Sequence, residues 1–108
     1  MSISRPLKLA YFQILLALSE RSLHGYAIQR AVLEQTDDQL TLWPAMLYRS
    51  LAKLEAGRLI EQTAPPTGEP ADERRQYYAL TPAGRECLAE EAAQLARWAA
   101  AAAPRAES

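Results

Sequence analysis

The sequence predicts a mainly α fold carrying a small β-hairpin wing, and three observations predict it. Residues 43–57 read as a short helix, with Leu47, Leu51 and Leu54 on one face and Gly57 at the end. Two strand-like runs follow, Leu59 to Thr63 and Gln76 to Leu80, across a loop holding Pro65, Pro66, Gly68 and Pro70. Apolar residues recur at helical spacing twice before this unit and once after it. Helix, helix and hairpin in that order is the plan of a winged helix-turn-helix, in which one helix enters a DNA groove and the hairpin flanks it. The expected layout is a winged helix-turn-helix domain over 1–80, a dimerisation helix over 81–103 and a flexible tail over 104–108.

The first helix is expected from Pro6, which suits a first turn with Ser4 or Arg5 at its cap, to about Ser19. Leu7, Tyr11, Ile14 and Leu18 fall on one side, and Leu9, Phe12 and Leu16 on the opposite side. A helix apolar on both sides must be covered twice, and so small a chain has little to spare for the second covering. The second face therefore points to a partner subunit. The second helix is expected to be capped by Ser22 and to run to about Thr36, with Leu23, Ala27, Ile28, Ala31 and Val32 on one arc. His24, at its start, reads as a structural or capping residue. Gln39 to Leu42 is extended in character before Pro44, which predicts a third strand for the wing sheet.

Pro44 and Gly57 are the start and stop of the third helix. With its leucines facing in, Ala45, Tyr48, Arg49, Ala52, Lys53 and Ala56 fall on the outer face. Alanines let a backbone approach base edges, an arginine can pair with guanine, and a lysine can meet phosphate. Arg49 is the expected base contact; Lys53, with Arg74 and Arg75 at the start of the returning strand, is expected on phosphate. Glu69, Asp72 and Glu73 precede those arginines and oppose part of their attraction.

Thr81-Pro82 is a cap followed by a first-turn proline, opening an alanine-rich last helix. Gly84, Leu88, Glu91, Leu95, Trp98 and Ala102 step alternately by 4 and 3, a heptad seam. A seam wants a facing helix. The expected assembly is a homodimer in which Leu88, Glu91, Leu95 and Trp98, together with Leu9, Phe12 and Leu16, meet the same surfaces of a second copy.

Composition sets the limits. A chain of 108 residues makes one domain and buries only about two-thirds of the surface its unfolded form exposes. Acidic residues number 13 against 12 basic ones, so attraction to DNA must come from local placement rather than bulk charge. One cysteine, Cys87, and one histidine, His24, rule out a disulfide framework and a metal cluster of thiolates and imidazoles, and no cofactor is expected. Cys87 reads as a small buried hydrophobe. The apolar run 9–18 is broken by Gln13 and too short to span a bilayer, so a cytoplasmic protein without a membrane partner is expected. No phosphate-binding glycine loop, nucleophile elbow or paired histidines occur, which speaks against an enzyme.

Four stretches also resemble the PadR-type transcriptional regulators, in the short form with a single C-terminal helix. They are Ile14-Leu15-Leu16-Ala17-Leu18; Leu23-His24-Gly25-Tyr26-Ala27-Ile28; Leu47-Tyr48 with Leu51, Leu54-Glu55, Gly57 and Leu59-Ile60; and residues 74–84, Arg-Arg-Gln-Tyr-Tyr-Ala-Leu-Thr-Pro-Ala-Gly. The resemblance implies a dimeric winged-helix repressor with its third helix in the major groove. Tyr48, Arg49, Lys53, Arg74 and Arg75 match the family's DNA surface. The run before Leu47 is Trp43-Pro44-Ala45-Met46, lacking the hydroxyl that members place before Leu-Tyr. The resemblance further implies a cleft between dimer helices for a flat apolar effector, formed here by Leu95 and Trp98, with Glu91 favouring a cationic one. The competing expectation is a winged helix acting as a protein-binding adaptor, because this fold does not dictate its function.

Overall fold

The computed structural model describes residues 3–68 and 75–104. Helix α1 spans Leu9–Ala17, strand β1 Leu23–His24, α2 Gly25–Gln35, α3 Pro44–Ala56, β2 Ile60–Thr63, β3 Tyr77–Leu80 and α4 Pro82–Ala102. The architecture is mostly helical with a small antiparallel sheet, as the sequence predicts.

The core forms where α1, α2 and α3 converge on the sheet. Ile14, Leu15, Leu18, Ile28, Val32, Leu42, Leu51, Leu54 and Ile60 are fully buried there. Burying one such side chain is worth about 1.5–3 kcal/mol. β3 lies in the middle of the sheet, paired with β2 through Ile60–Leu80 to Thr63–Tyr77 and with β1 through Leu23–Tyr78 and His24–Tyr77.

That sheet corrects the expected third strand. Leu23–His24 takes the open edge of β3, and residues 39–42 form a packed loop. The Leu42 carbonyl accepts from Gln29 Nε2 at 2.7 Å and the Leu40 N–H donates to Thr36 Oγ1 at 3.1 Å, so side chains satisfy backbone groups that a strand would have paired. With Leu23 in a strand, α2 starts two residues past the expected arc. Its cap is His24, not Ser22: Nδ1 accepts from the Ala27 N–H at 3.4 Å.

α1 likewise starts at Leu9 rather than Pro6, because the backbone before it is held elsewhere: the Leu7 N–H donates to Glu91 Oε2 at 2.9 Å. At the end of α3 the left-handed residue is Arg58 (φ 62°), not Gly57 (φ −79°). The Leu59 N–H reaches Leu54 O and the Arg58 N–H reaches Glu55 O, the paired bonds of a Schellman ending.

The seam of α4 is split. Gly84 lies so close to the preceding chain that a Cβ would stand 1.9 Å from the Leu59 carbonyl oxygen. Thr81 Oγ1 caps the helix, accepting from the Gly84 N–H at 2.9 Å. Leu88 and Glu91, expected to face a second copy, are buried within this chain, as is Cys87. The half beyond Glu91 has no such cover: Leu95 is 39% exposed and Trp98 48%. On α1, Leu9 is exposed at 62% and Leu16 at 36%, while Phe12 is packed in part against the core.

Candidate nucleic-acid interface

α3 owes its exposed face to the spacing of what it buries. Leu47, Ser50, Leu51 and Leu54 point into the core, which turns Ala45, Tyr48, Arg49, Ala52, Lys53 and Ala56 outward. No carboxylate stands on that face. Glu55, the one acid of the helix, is half-buried on another side and accepts from Gln62 Nε2 at 3.3 Å on β2. Among the described residues, Arg49 and Lys53 enter no ion pair within 4.0 Å.

Two clefts border the face. The first is lined by His24, Gly25, Tyr26, Tyr48, Arg75 and Gln76, so folding joins Tyr48 of α3 to Arg75 at the base of the wing. Tyr48 covers the start of α2, with its hydroxyl 2.7 Å from where a Cβ on Gly25 would sit. The second cleft is lined by Lys53 and Ala56 together with Ile3, Ser4, Pro6, Lys8 and Tyr11. Arg74, also expected at the wing base, lies outside the described residues.

Three exposed side chains beside this surface did not emerge from the helical periodicity. Tyr26 is 60% exposed at the first turn of α2; its ring lies parallel to His24 with centroids 6.5 Å apart. Arg30, one helical turn on, donates to the Tyr26 hydroxyl at 3.4 Å, and that bond is the main cause of its raised pKa. The (i, i+4) spacing of Tyr26 and Arg30 was the available signal. Trp43 is 68% exposed at the cap of α3, where it makes no side-chain capping bond.

The described residues conform to one family. The model of the "Transcriptional regulator PadR-like family" matches residues 14–90, from the second half of α1 to the middle of α4. The chain belongs to the PadR-like family of transcriptional regulators. It is 42% identical over 90 residues to an uncharacterised 37.1 kDa protein in transposon TN4556 of Streptomyces fradiae; the match takes 82% of this chain and only 23% of that protein. Among solved structures it is similar to RosR of H. salinarum (TM-score 0.70, 25% identity, 89% of this chain and 80% of that one). It is also similar to the RosR-S4 complex (TM-score 0.68, 26% identity, 87% and 75%). A PadR-like transcription factor from Bacteroides fragilis shares the fold (TM-score 0.66, 24% identity, 84% of each chain).

In this PadR-like chain, the residues expected at an effector cleft are only partly assembled. A cavity of about 460 Å³ is lined by Trp98 and Glu91, with Arg5, Pro6, Glu90, Gln94 and Arg97, but not by Leu95. The Glu91 carboxylate is already engaged, accepting from Arg5 Nε and from the Leu7 N–H, each at 2.9 Å. The same contact with Glu91 raises the pKa of Arg5, the largest of several causes. With Arg5 and Arg97 opposite Glu90 and Glu91, the lining gives little net preference for a cation. No described helix is long and apolar enough to cross a membrane.

Proposed function

We propose that this PadR-like regulator is a homodimeric, sequence-specific repressor working in the cytoplasm, where the DNA is, with α3 in the major groove and the wing beside it. The observation that carries the reading is the exposed face of α3, where Ala45, Tyr48, Arg49, Ala52, Lys53 and Ala56 stand free of carboxylates in a chain whose acids outnumber its bases. Small residues allow the helix to seat deeply, Arg49 can take guanine O6 and N7 together, and Lys53, Tyr48, Arg74 and Arg75 serve the phosphates.

Dimerisation on this reading uses Leu9, Phe12 and Leu16 of α1 and Leu95 and Trp98 of α4, the large apolar side chains of those helices that the chain's own core leaves uncovered or only partly covered. A two-fold dimer sets its recognition helices about 34 Å apart, so the operator is a pseudo-palindrome with half-sites near one helical turn apart. A flat apolar effector would enter beside Trp98. By altering the spacing of the two α4 helices it weakens DNA binding only as far as it prefers the non-binding spacing, and operator DNA then weakens effector binding by the same factor.

The test is selection of genomic fragments by the wild-type chain followed by sequencing. A shared pseudo-palindrome among the enriched fragments is the expected outcome. No enrichment would leave the protein-adaptor function in its place.

A further inference from the structure

The second cleft beside α3 carries an inference that rests on the DNA-binding reading and extends it to the N-terminal arm. Lys8 and Lys53 are remote in sequence, yet they line one cleft of about 290 Å³ with Ile3, Ser4, Pro6, Tyr11 and Ala56. No carboxylate is among these residues, and neither lysine forms an ion pair with a described residue within 4.0 Å. The Lys8 ammonium stands 5.7 Å from the centre of the Tyr11 ring. A ring face orients an ammonium and attracts it modestly but leaves its positive charge in place. Two cations facing one cleft raise each other's energy, and an anion between them relieves both.

The arm is fixed by a different cation. Arg5 donates to Glu91 at 2.9 Å and to Glu90 at 3.3 Å, and the Leu7 N–H donates to Glu91, which ties residues 5–7 to α4. Arg5 is thereby neutralised by α4 while Lys8 is left toward α3. The two clefts also stand at opposite ends of the α3 face. From Tyr48 to Ala56 the helix rises about 12 Å, at roughly 1.5 Å per residue, so the Tyr48–Arg75 cleft and the Lys8–Lys53 cleft are set apart along α3. With α3 in the major groove, whose two edges are phosphate backbones, each cleft borders a helix that phosphates flank.

We propose that Lys8 and Lys53 together form a binding site for a DNA backbone phosphate, so that the N-terminal arm is a third DNA-contacting element beside α3 and the wing. The contact carries no sequence information. It fixes register and adds to salt sensitivity.

The experiment measures binding to mixed-sequence duplex DNA as a function of salt for the wild type, Lys8→Ala, Lys8→Gln and Lys8→Arg. Loss of one phosphate contact per subunit, two per dimer, should flatten the slope of log K against log salt by about 1.8 in the Ala and Gln variants, and Lys8→Arg should retain the wild-type slope. Circular dichroism should show both neutral variants folded, since Lys8 is exposed at the helix cap. Their preference among fragments selected by the wild type should be unchanged. Titration with inorganic phosphate, followed by the amide resonances of Lys8 and Lys53, separates the sources of the anion. Phosphate binding that depends on Lys8 alongside an unaltered DNA slope would overturn the proposal in favour of a free-anion site. An unaltered slope without phosphate binding would overturn it outright. If Arg49→Ala relaxes specificity while Lys8→Ala leaves the slope alone, the repressor reading stands and the arm contact falls. A wild type that binds no duplex overturns both.

Discussion

Replacing Glu91 tests how α4 is held to the rest of the chain. The carboxylate is nearly inaccessible, with 5% of its side chain exposed, and it accepts from the Leu7 N–H and from Arg5 Nε, both at 2.9 Å. Glu91→Ala leaves the Leu7 N–H without its partner in a partly buried place, at about 1–3 kcal/mol. The Arg5 pair contributes less, about 0–1 kcal/mol, because that guanidinium is 42% exposed and solvent screens it. The two together give roughly 1–4 kcal/mol, which for a domain of this size lowers Tm by about 4 °C or more. Glu91→Gln can still accept from Leu7 and should lose about half as much, while Arg5→Ala should lose no more than about 1 kcal/mol. Urea unfolding followed by circular dichroism at one fixed protein concentration measures all three. If Glu91→Ala falls within about 0.5 kcal/mol of the wild type, the surface level for changes away from structural features, the carboxylate does not hold the arm. If Arg5→Ala costs as much as Glu91→Ala, the backbone bond is not the main contribution.

Gly84→Ala should destabilise by about 1–3 kcal/mol or more, seen as an earlier urea midpoint, because the added Cβ would overlap the Leu59 carbonyl oxygen and push α4 off the domain. Cys87 should react with iodoacetamide on the order of tenfold more slowly in the native chain than in urea, since burial pushes its thiol pKa up. The folded thiol therefore ionises later than the unfolded one, so stability is unaffected by Cys87 below its ordinary value near 9 and declines as pH rises past it. Leu95→Asp and Trp98→Asp should convert the expected dimer to a folded monomer in light scattering. Leu95→Ala should have a concentration-dependent effect if the proposed dimer covers Leu95, which is 39% exposed in the single chain.

Elements defined by residues close in sequence were legible. Pro44 opens α3, and Thr81-Pro82 opens α4 with the capping bond its hydroxyl implies. The two runs around the proline loop pair as a hairpin. Elements defined by remote partners were not. β1 is two residues long, too short for any period, and exists because β3 has a free edge. Residues 39–42 resembled a strand because they are extended in character ahead of Pro44, yet Gln29 and Thr36 take backbone bonds there. The heptad seam recorded that α4 is covered along one side without recording by what: up to Glu91 the cover is this chain's own domain, and beyond it the side chains lie open. Glu91 was the clue, a carboxylate in an apolar seam whose partner Arg5 lies 86 positions away. On the outer face of α3, helical period sufficed to turn Arg49 and Lys53 outward, whereas the neighbourhoods of Tyr48 with Arg75 and of Lys53 with Lys8 exist only in the fold.

The most direct test of the repressor reading compares wild type and Arg49→Ala on an operator recovered by genomic selection and on a scrambled duplex of the same composition. If α3 reads bases through Arg49, the variant should lose about 1–3 kcal/mol per half-site on the operator and far less on the scrambled duplex, narrowing the specificity ratio. Equal losses on both duplexes would make Arg49 a phosphate contact, and no loss on either would remove α3 from the DNA.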